Sequence, residues 1–293
     1  MNFIKLKNER FIMINSKFNF LKKLLFFILL IFFLQLPLYA TKDIPPDIKK
    51  IITRGKLIVA LKNGNYPPFF YEDDKKALIG YDIEMAQDIA KNLGVGIEYN
   101  RNAQSFADVI KLVENDSADL GISALSSTLS RGLSVNFSDP YLSPNQSLIL
   151  NRILEIKLKN NNDIDKSALK IAVLKNSAYE DYIKQNITSF DELLKNTETI
   201  QYDDLEKALT DVMNGKILAL YVDQIYANYI IKNRKLANIY VRRKDIDGEI
   251  DPISIVVNWR NQNLLNWINL YVKRMKYEGR NKYLSQKYLK DLK

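Results

Sequence analysis

Apolar positions along this chain recur in two alternating rhythms. Short unbroken apolar runs between polar or turn residues predict buried strands: "KLIVAL" (56–61), "GIEYN" (96–100), "ADLGISAL" (118–125), "LKIAVLK" (169–175), "TIQY" (199–202), "ILALYVD" (217–223) and "ISIVVNW" (253–259). Segments with helical spacing separate them. In "GYDIEMAQDIAKNLG" (80–94), Ile83, Ala86, Ala90 and Leu93 fall on one face and Gly94 supplies the stop. "SFADVIKLVEN" predicts a helix capped by Ser105, and "DDLEKALTDVMNG" one capped by Asp203. "AYEDYIKQN", "DQIYANYI", "NLLNWINLYVKRMKYEG" and "NKYLSQKYL" complete the helical set. Strands alternating with helices predict an α/β protein. The parallel between "VENDSADLGISAL" and "VMNGKILALYVD", each a helix end, a polar turn and a buried strand, suggests two lobes of similar layout. The Asn run in "KLKNNNDIDKSA" (157–168) reads as a surface loop.

The chain opens differently. Lys22 and Lys23 precede eleven apolar residues, Leu24 to Leu34, followed by Gln35, Pro37 and "LYA" ending at Ala40. This is the order of a secretory signal peptide, and the apolar run is short of the roughly 20 residues that span a bilayer. Residues 1–40 are therefore expected to be a leader cleaved near Ala40, and an exported protein with no cysteine to carry a lipid is expected free in the periplasm.

Composition narrows the chemistry. The 293 residues contain no histidine and no cysteine, which excludes Ser-His-Asp and Cys-His catalysis, thiolate nucleophiles, the usual zinc sites and disulfides. Of the formal net charge of +9, much lies in the leader (Lys5, Lys7, Arg10, Lys17, Lys22 and Lys23 against Glu9), so the remainder is too weakly and diffusely basic to indicate nucleic acid. No cofactor or metal is expected.

Three places carry candidate chemistry. In Thr128-x-x-Arg131, one reading has Ser127 or Thr128 cap a short helix with Arg131 solvated; alternatively, the strand end, the free N–H groups of a helix start and a two-pronged guanidinium make a carboxylate site. "NGNYPPFFYED" (63–73) is either a rigid turn with core-filling rings or, with Tyr66 and Phe106 both facing the crevice at the carboxyl edge of the sheet, part of an apolar slot between those two aromatics. Asp223, ending "ILALYVD", is a helix cap, an ammonium-binding acid, or both. Arg131 and Asp223 on opposite walls would suit a zwitterion.

The ordered motifs "GKLIVAL", "YPPFFY", "GYDIEMAQDIAKNLG", "FADVIKLVENDSADLGIS", "SSTLSRGLSVNFSDPY", "VMNGKILALYVD" and "ISIVVNW" together resemble family 3 of the bacterial extracellular solute-binding proteins. The resemblance implies a two-lobed periplasmic-binding-protein fold of type II, a Venus flytrap with two hinge crossovers. Lobe 1 would comprise 44–141 and 248–293, and lobe 2 would comprise 146–245. It further implies that Arg131 holds a ligand α-carboxylate, with Ser126, Thr128 and the backbone near Ala124 beside it. Asp223 would hold the α-ammonium, and Tyr66 and Phe106 would sandwich the side chain. Asn63 falls where some members carry a side-chain-reading acid, and Lys175 matches a variable cleft position. The pattern is broken in three places. The usual Gly-Thr after Lys175 is Asn176-Ser177, within an atypical Asn176–Tyr179 loop where Ser177 would supply the hydroxyl. The common Tyr-Gly before "ISIVV" is Asp251-Pro252, and the usual terminal Lys-Trp is Lys287-Tyr288.

The function so implied is non-catalytic: a monomeric periplasmic binding protein that delivers an amino acid to a membrane ABC permease. Neutral Asn63 and cationic Lys175 lean toward a polar uncharged or acidic ligand. The alternatives are a periplasmic enzyme like cyclohexadienyl dehydratase, with Glu180 or Asp181 as its acid, and a ligand-sensing accessory module.

Overall fold

Two five-stranded sheets organise the computed structural model, which describes residues 43–160, 165–183, 194, 197–234, 238–243, 251–290 and 292. The expected leader, the last three residues of the "AYEDYIKQN" helix and part of the Asn-rich loop lie outside the described residues. Among the described residues no helix is long and apolar enough to cross a membrane.

The first sheet has the order β4-β1-β5-β12-β6, built from β1 (Lys56–Lys62), β4 (Gly96–Ala103), β5 (Leu120–Gly121), β6 (Val135–Phe137) and β12 (Val256–Asn258). β1 runs parallel to β4 and β5, whereas β12 is antiparallel to both β5 and β6. An unbroken apolar run such as that of β1 is expected of a strand covered on both faces, and Leu57, Val59, Ala60 and Leu61 are all fully buried. A small hairpin pairs β2 (Tyr71–Glu72) with β3 (Leu78–Ile79).

The second sheet repeats this plan as β11-β7-β10-β8-β9, from β7 (Gln146–Asn151), β8 (Lys170–Leu174), β9 (Glu198–Tyr202), β10 (Ala219–Asp223) and β11 (Ile239–Arg243). β8 is parallel to β9 and β10, and β7 is antiparallel to β10 and β11. The chain enters this sheet after Phe137 and returns to the first at Val256, so it passes twice between the two halves.

The helices follow local signals. α1 (Pro46–Arg54) starts on Pro46 and ends on left-handed Gly55. α2 (Tyr81–Leu93) buries the predicted face and closes on Gly94, whose N–H reaches the carbonyls of Ala90 and Lys91. α3 (Phe106–Glu114) begins with a reciprocal capping box between Ser105 and Asp108. α4 (Arg152–Lys159), capped by Asn151, occupies the start of the segment expected to be a loop, and a 3₁₀ turn covers Lys166–Ala168. α5 (Leu205–Met213) is capped by Asp204 rather than Asp203. α6 (Gln224–Arg234), α7 (Gln262–Tyr277) and α8 (Arg280–Tyr288) complete the set.

Several expected strands are shorter than their apolar runs. "ADLGISAL" contributes only Leu120–Gly121, because the backbone turns away at Ala124, whose φ is +47°. That turn brings the loop across the carboxyl end of the first sheet.

Candidate functional site

The carboxyl ends of four parallel strands supply the candidate groups. β1 leads to Lys62, Asn63 and Tyr66; β5 leads to Ala124, Ser126 and Arg131; β8 leads to Lys175 and Ser177; β10 ends on Asp223. Open α/β sheets present ligands with this edge, because the loops there are free to vary while the strands fix their origins.

Arg131 opens a short 3₁₀ turn, Arg131–Leu133, at the end of the loop after β5. Its Nη1 donates to the Ser126 carbonyl at 3.0 Å, and its backbone N–H donates to Thr128 Oγ1 at 3.3 Å. Thr128 therefore secures the turn, while Ser126 orients the guanidinium. Arg131 is desolvated, which lowers its pKa, while Asp251, Tyr182, Tyr179 and Asp181 act in the opposite direction. Tyr179, Asp181 and Tyr182 belong to the half carrying the second sheet, so this guanidinium faces across the cleft.

Asp223 is fully buried and serves two ends at once. Its Oδ1 accepts the Tyr226 N–H at 2.8 Å, capping α6, and its Oδ2 accepts the Tyr66 hydroxyl at 2.5 Å and the Tyr179 hydroxyl at 3.2 Å. Burial raises its pKa, and these three donors oppose the rise. Tyr66 thus crosses from the first half to the second, and its ring stacks on Tyr226 with centroids 4.7 Å apart and planes 3° apart. Phe106 meets Tyr66 edge-on at 5.8 Å and 84°, and Lys62 Nζ lies 5.9 Å above the Phe106 ring. Tyr66 and Phe106 touch each other here rather than standing apart as two walls of a slot.

Ala124 is held from behind. Asp82, at the start of α2, accepts the Ala124 N–H at 2.6 Å and the Tyr141 hydroxyl at 2.9 Å. Burial raises the Asp82 pKa to about 7, against those two hydrogen bonds. In the loop after β8, Asn176 takes the left-handed conformation (φ +57°), which asparagine tolerates better than most residues. Ser177 is buried, and its hydroxyl turns back to the Leu174 carbonyl at 2.5 Å.

Two expected residues stand apart from this cluster. Lys175 is exposed and lies 3.6 Å from Asp203, and Asn63 is exposed with its Oδ1 accepting the Gly64 N–H. Of the two acids proposed for enzymatic work, Glu180 accepts from Gln201 Nε2 at 2.6 Å and Asp181 is exposed. No cluster of carboxylates suited to a metal occurs among the described residues.

Sequence reasoning passed over five residues in or behind this cleft: Asp82, Gln146, Tyr179, Tyr226 and Asp251. Tyr226 was legible as the third residue after a capping acid. Asp251 was visible only as a departure from a pattern. The other three are assembled by contacts more than forty residues apart in sequence, or across strands no motif had named.

Comparison with known proteins agrees with this layout. The family model for bacterial extracellular solute-binding proteins, family 3, matches residues 57–291. The L-cystine-binding protein TcyJ of Escherichia coli (strain K12) is 26% identical over 246 residues, covering 82% of this chain and 85% of that protein. Among solved structures, an ancestral arginine-binding protein bound to arginine superposes with a TM-score of 0.66 at 27% identity, over 80% of this chain and 98% of that one. An ancestral amino acid-binding protein, described as a precursor of cyclohexadienyl dehydratase, gives 0.68 at 26%, over 82% and 98%. The architecture is that of the two-lobed type II periplasmic binding proteins. With the family match spanning both sheets, the chain belongs to family 3 of the bacterial extracellular solute-binding proteins.

Proposed function

We propose that this protein captures a free amino acid in the periplasm, between its two lobes, and hands it to a membrane ABC importer without altering it. The observation that carries the reading is a pair of opposite charges on one cleft. Arg131 comes from the first lobe and looks toward Tyr179 and Tyr182; Asp223 comes from the second and is reached by Tyr66. An α-carboxylate and an α-ammonium are the complementary pair. The relatives that bind L-cystine and arginine make the same class of ligand the natural choice here.

The energetics are sufficient. A ligand that converts a 1% closed population to 99% needs about 5.5 kcal/mol of differential affinity. Two charge-assisted contacts at about 1.5–3 kcal/mol each, with burial of the ligand against Tyr66, Phe106 and Tyr226, reach that value. Closure that depends on a bridging ligand gives the permease a shape to read.

The test is a thermal-shift screen of the processed chain against the common amino acids. One or a few should raise the melting temperature by several degrees, and the rise should vanish in Arg131→Ala and in Asp223→Asn, which keeps the helix cap. A protein that responds to no amino acid would refute the reading; turnover of a cyclohexadienyl substrate would replace it with the enzymatic one.

A further inference from the structure

The loop that carries Arg131 is attached to more than the first sheet. Between β5 and Arg131 it lies against the return passage between the halves. Ser127 donates to the Pro252 carbonyl through its N–H at 2.8 Å and its hydroxyl at 2.9 Å, and the Ser254 N–H donates to the Leu125 carbonyl at 2.9 Å. The return passage lies in turn against the outward one. There the Ile253 N–H donates to the Leu142 carbonyl at 2.9 Å, the Tyr141 N–H to the Ile253 carbonyl at 3.0 Å and the Asp251 N–H to the Pro144 carbonyl at 2.9 Å. Three segments distant in sequence thus form one hydrogen-bonded layer.

Asp251 stands where that layer ends. The next residue of the outward passage, Asn145, already engages the other half, its carbonyl accepting the Gln224 N–H of α6 at 2.9 Å, and Gln146 begins β7. The Asp251 carboxylate, 1% exposed, serves both sides of this boundary. Its Oδ2 accepts the Ser126 hydroxyl at 2.9 Å, and the Gln146 side chain is hydrogen-bonded to the same carboxylate. Ser126 is the residue whose carbonyl holds the Arg131 guanidinium, and Gln146 pairs with Asp223 across the second sheet. A line of contacts therefore runs from Arg131 through Ser126, Asp251 and Gln146 to the neighbour of Asp223. A buried carboxylate is an expensive way to fill an interior. What it supplies that an apolar side chain cannot is a pair of oxygens that fix polar groups arriving from opposite sides.

We infer that Asp251 is a positioning residue: at the bend between the halves, its carboxylate sets Arg131 relative to Asp223, so that a ligand's α-carboxylate and α-ammonium meet a pair already spaced for them. The inference rests on the amino-acid reading above. In this role Asp251 acts through Ser126 and Gln146 and does not touch the ligand. Every amino acid presents the same two groups, so the contribution of Asp251 is the same whatever the side chain.

Calorimetric titration of the processed chain with the common L-amino acids decides the matter. Asp251→Ala should weaken the tightest ligand about three- to tenfold, the worth of one hydrogen bond, and every other amino acid that binds by the same factor. Asp251→Asn keeps an oxygen for the Ser126 hydroxyl and should stay within about twofold of wild type. Ser126→Ala breaks the same contact from its other end, so adding Asp251→Ala to it should change affinity no further. If Asp251→Ala folds poorly, Ser126→Ala and Gln146→Ala, which cut the line on either side, should show the same lack of additivity. A lower melting temperature with unchanged affinity assigns Asp251 to stability alone and overturns the inference. A loss that differs from one amino acid to the next, the mark of direct contact with the ligand side chain, overturns it too, as do additive losses in the double variants. In each of those cases the wild type still binds and the amino-acid reading stands. Wild-type silence toward every amino acid fells both.

Discussion

Asp82 shows how one residue can govern a site it does not enter. Its carboxylate pins the left-handed Ala124 and the Tyr141 hydroxyl, and through them the course of the loop to Arg131. Asp82→Ala would orphan two buried donors and should cost about 2–4 kcal/mol of stability while weakening ligand binding; denaturant titration and a binding isotherm together check this. Asp82 and Asp251 both hold their protons up to about pH 7, far above an unfolded aspartate. Between roughly pH 4 and 7 the folded state therefore binds more protons than the unfolded one, and stability should fall as pH rises through that window. Melting temperatures from pH 5 to 8.5 should decline, and Asp251→Asn should flatten the decline, being least different from wild type at pH 5 and more stable than it at pH 8. At this scale, Arg131, Asp223 and Tyr66 were legible because each follows a strand at a motif-bearing position. Asp82 and Asp251 were not, because a buried acid looks like any other acid until its partners from distant segments are known.

Elements tell a second story. β1, α2 and α3 could be read directly because an unbroken apolar run, a one-sided stripe and a capping box are local signals. β7 and β11 escaped because each owes its extended form to pairing with a strand distant in sequence. α8 is fixed by tertiary contacts: Tyr288 donates to Glu84 on α2 at 2.6 Å, Lys287 pairs with the same carboxylate, and Arg280 reaches Glu84 and Asp88. The junction before α2 is the most demanding. Gly80 has φ +135°, and a Cβ there would lie 2.2 Å from the Phe69 carbonyl oxygen, beneath the loop that carries Tyr66. Gly80→Ala should cost at least about 2 kcal/mol and displace that loop, lowering ligand affinity together with the melting temperature.

For the whole molecule, the repeated sheet plan means that neither half supplies the cleft alone. Three parallel strands in each half aim their carboxyl ends at it, and the chain crosses between the halves twice. On the proposed reading these crossings are the hinges, and Tyr66 links the halves through both its ring and its hydroxyl. Tyr66→Phe keeps the stack and removes the hydroxyl. It should lower the stability of the ligand-free protein by about 1–3 kcal/mol and enlarge the melting-temperature rise that a bound amino acid produces; solution scattering should report a more open average shape before ligand is added.

The Tyr66–Asp223 hydrogen bond also bears on time. On the proposed reading, an arriving ammonium seeks the oxygen that the tyrosine already engages, so capture includes an internal step in which the protein lets go of itself. That step does not depend on supply. Raising the ligand concentration should speed association only until this release becomes limiting, and the observed rate should then level off at a value written into the protein.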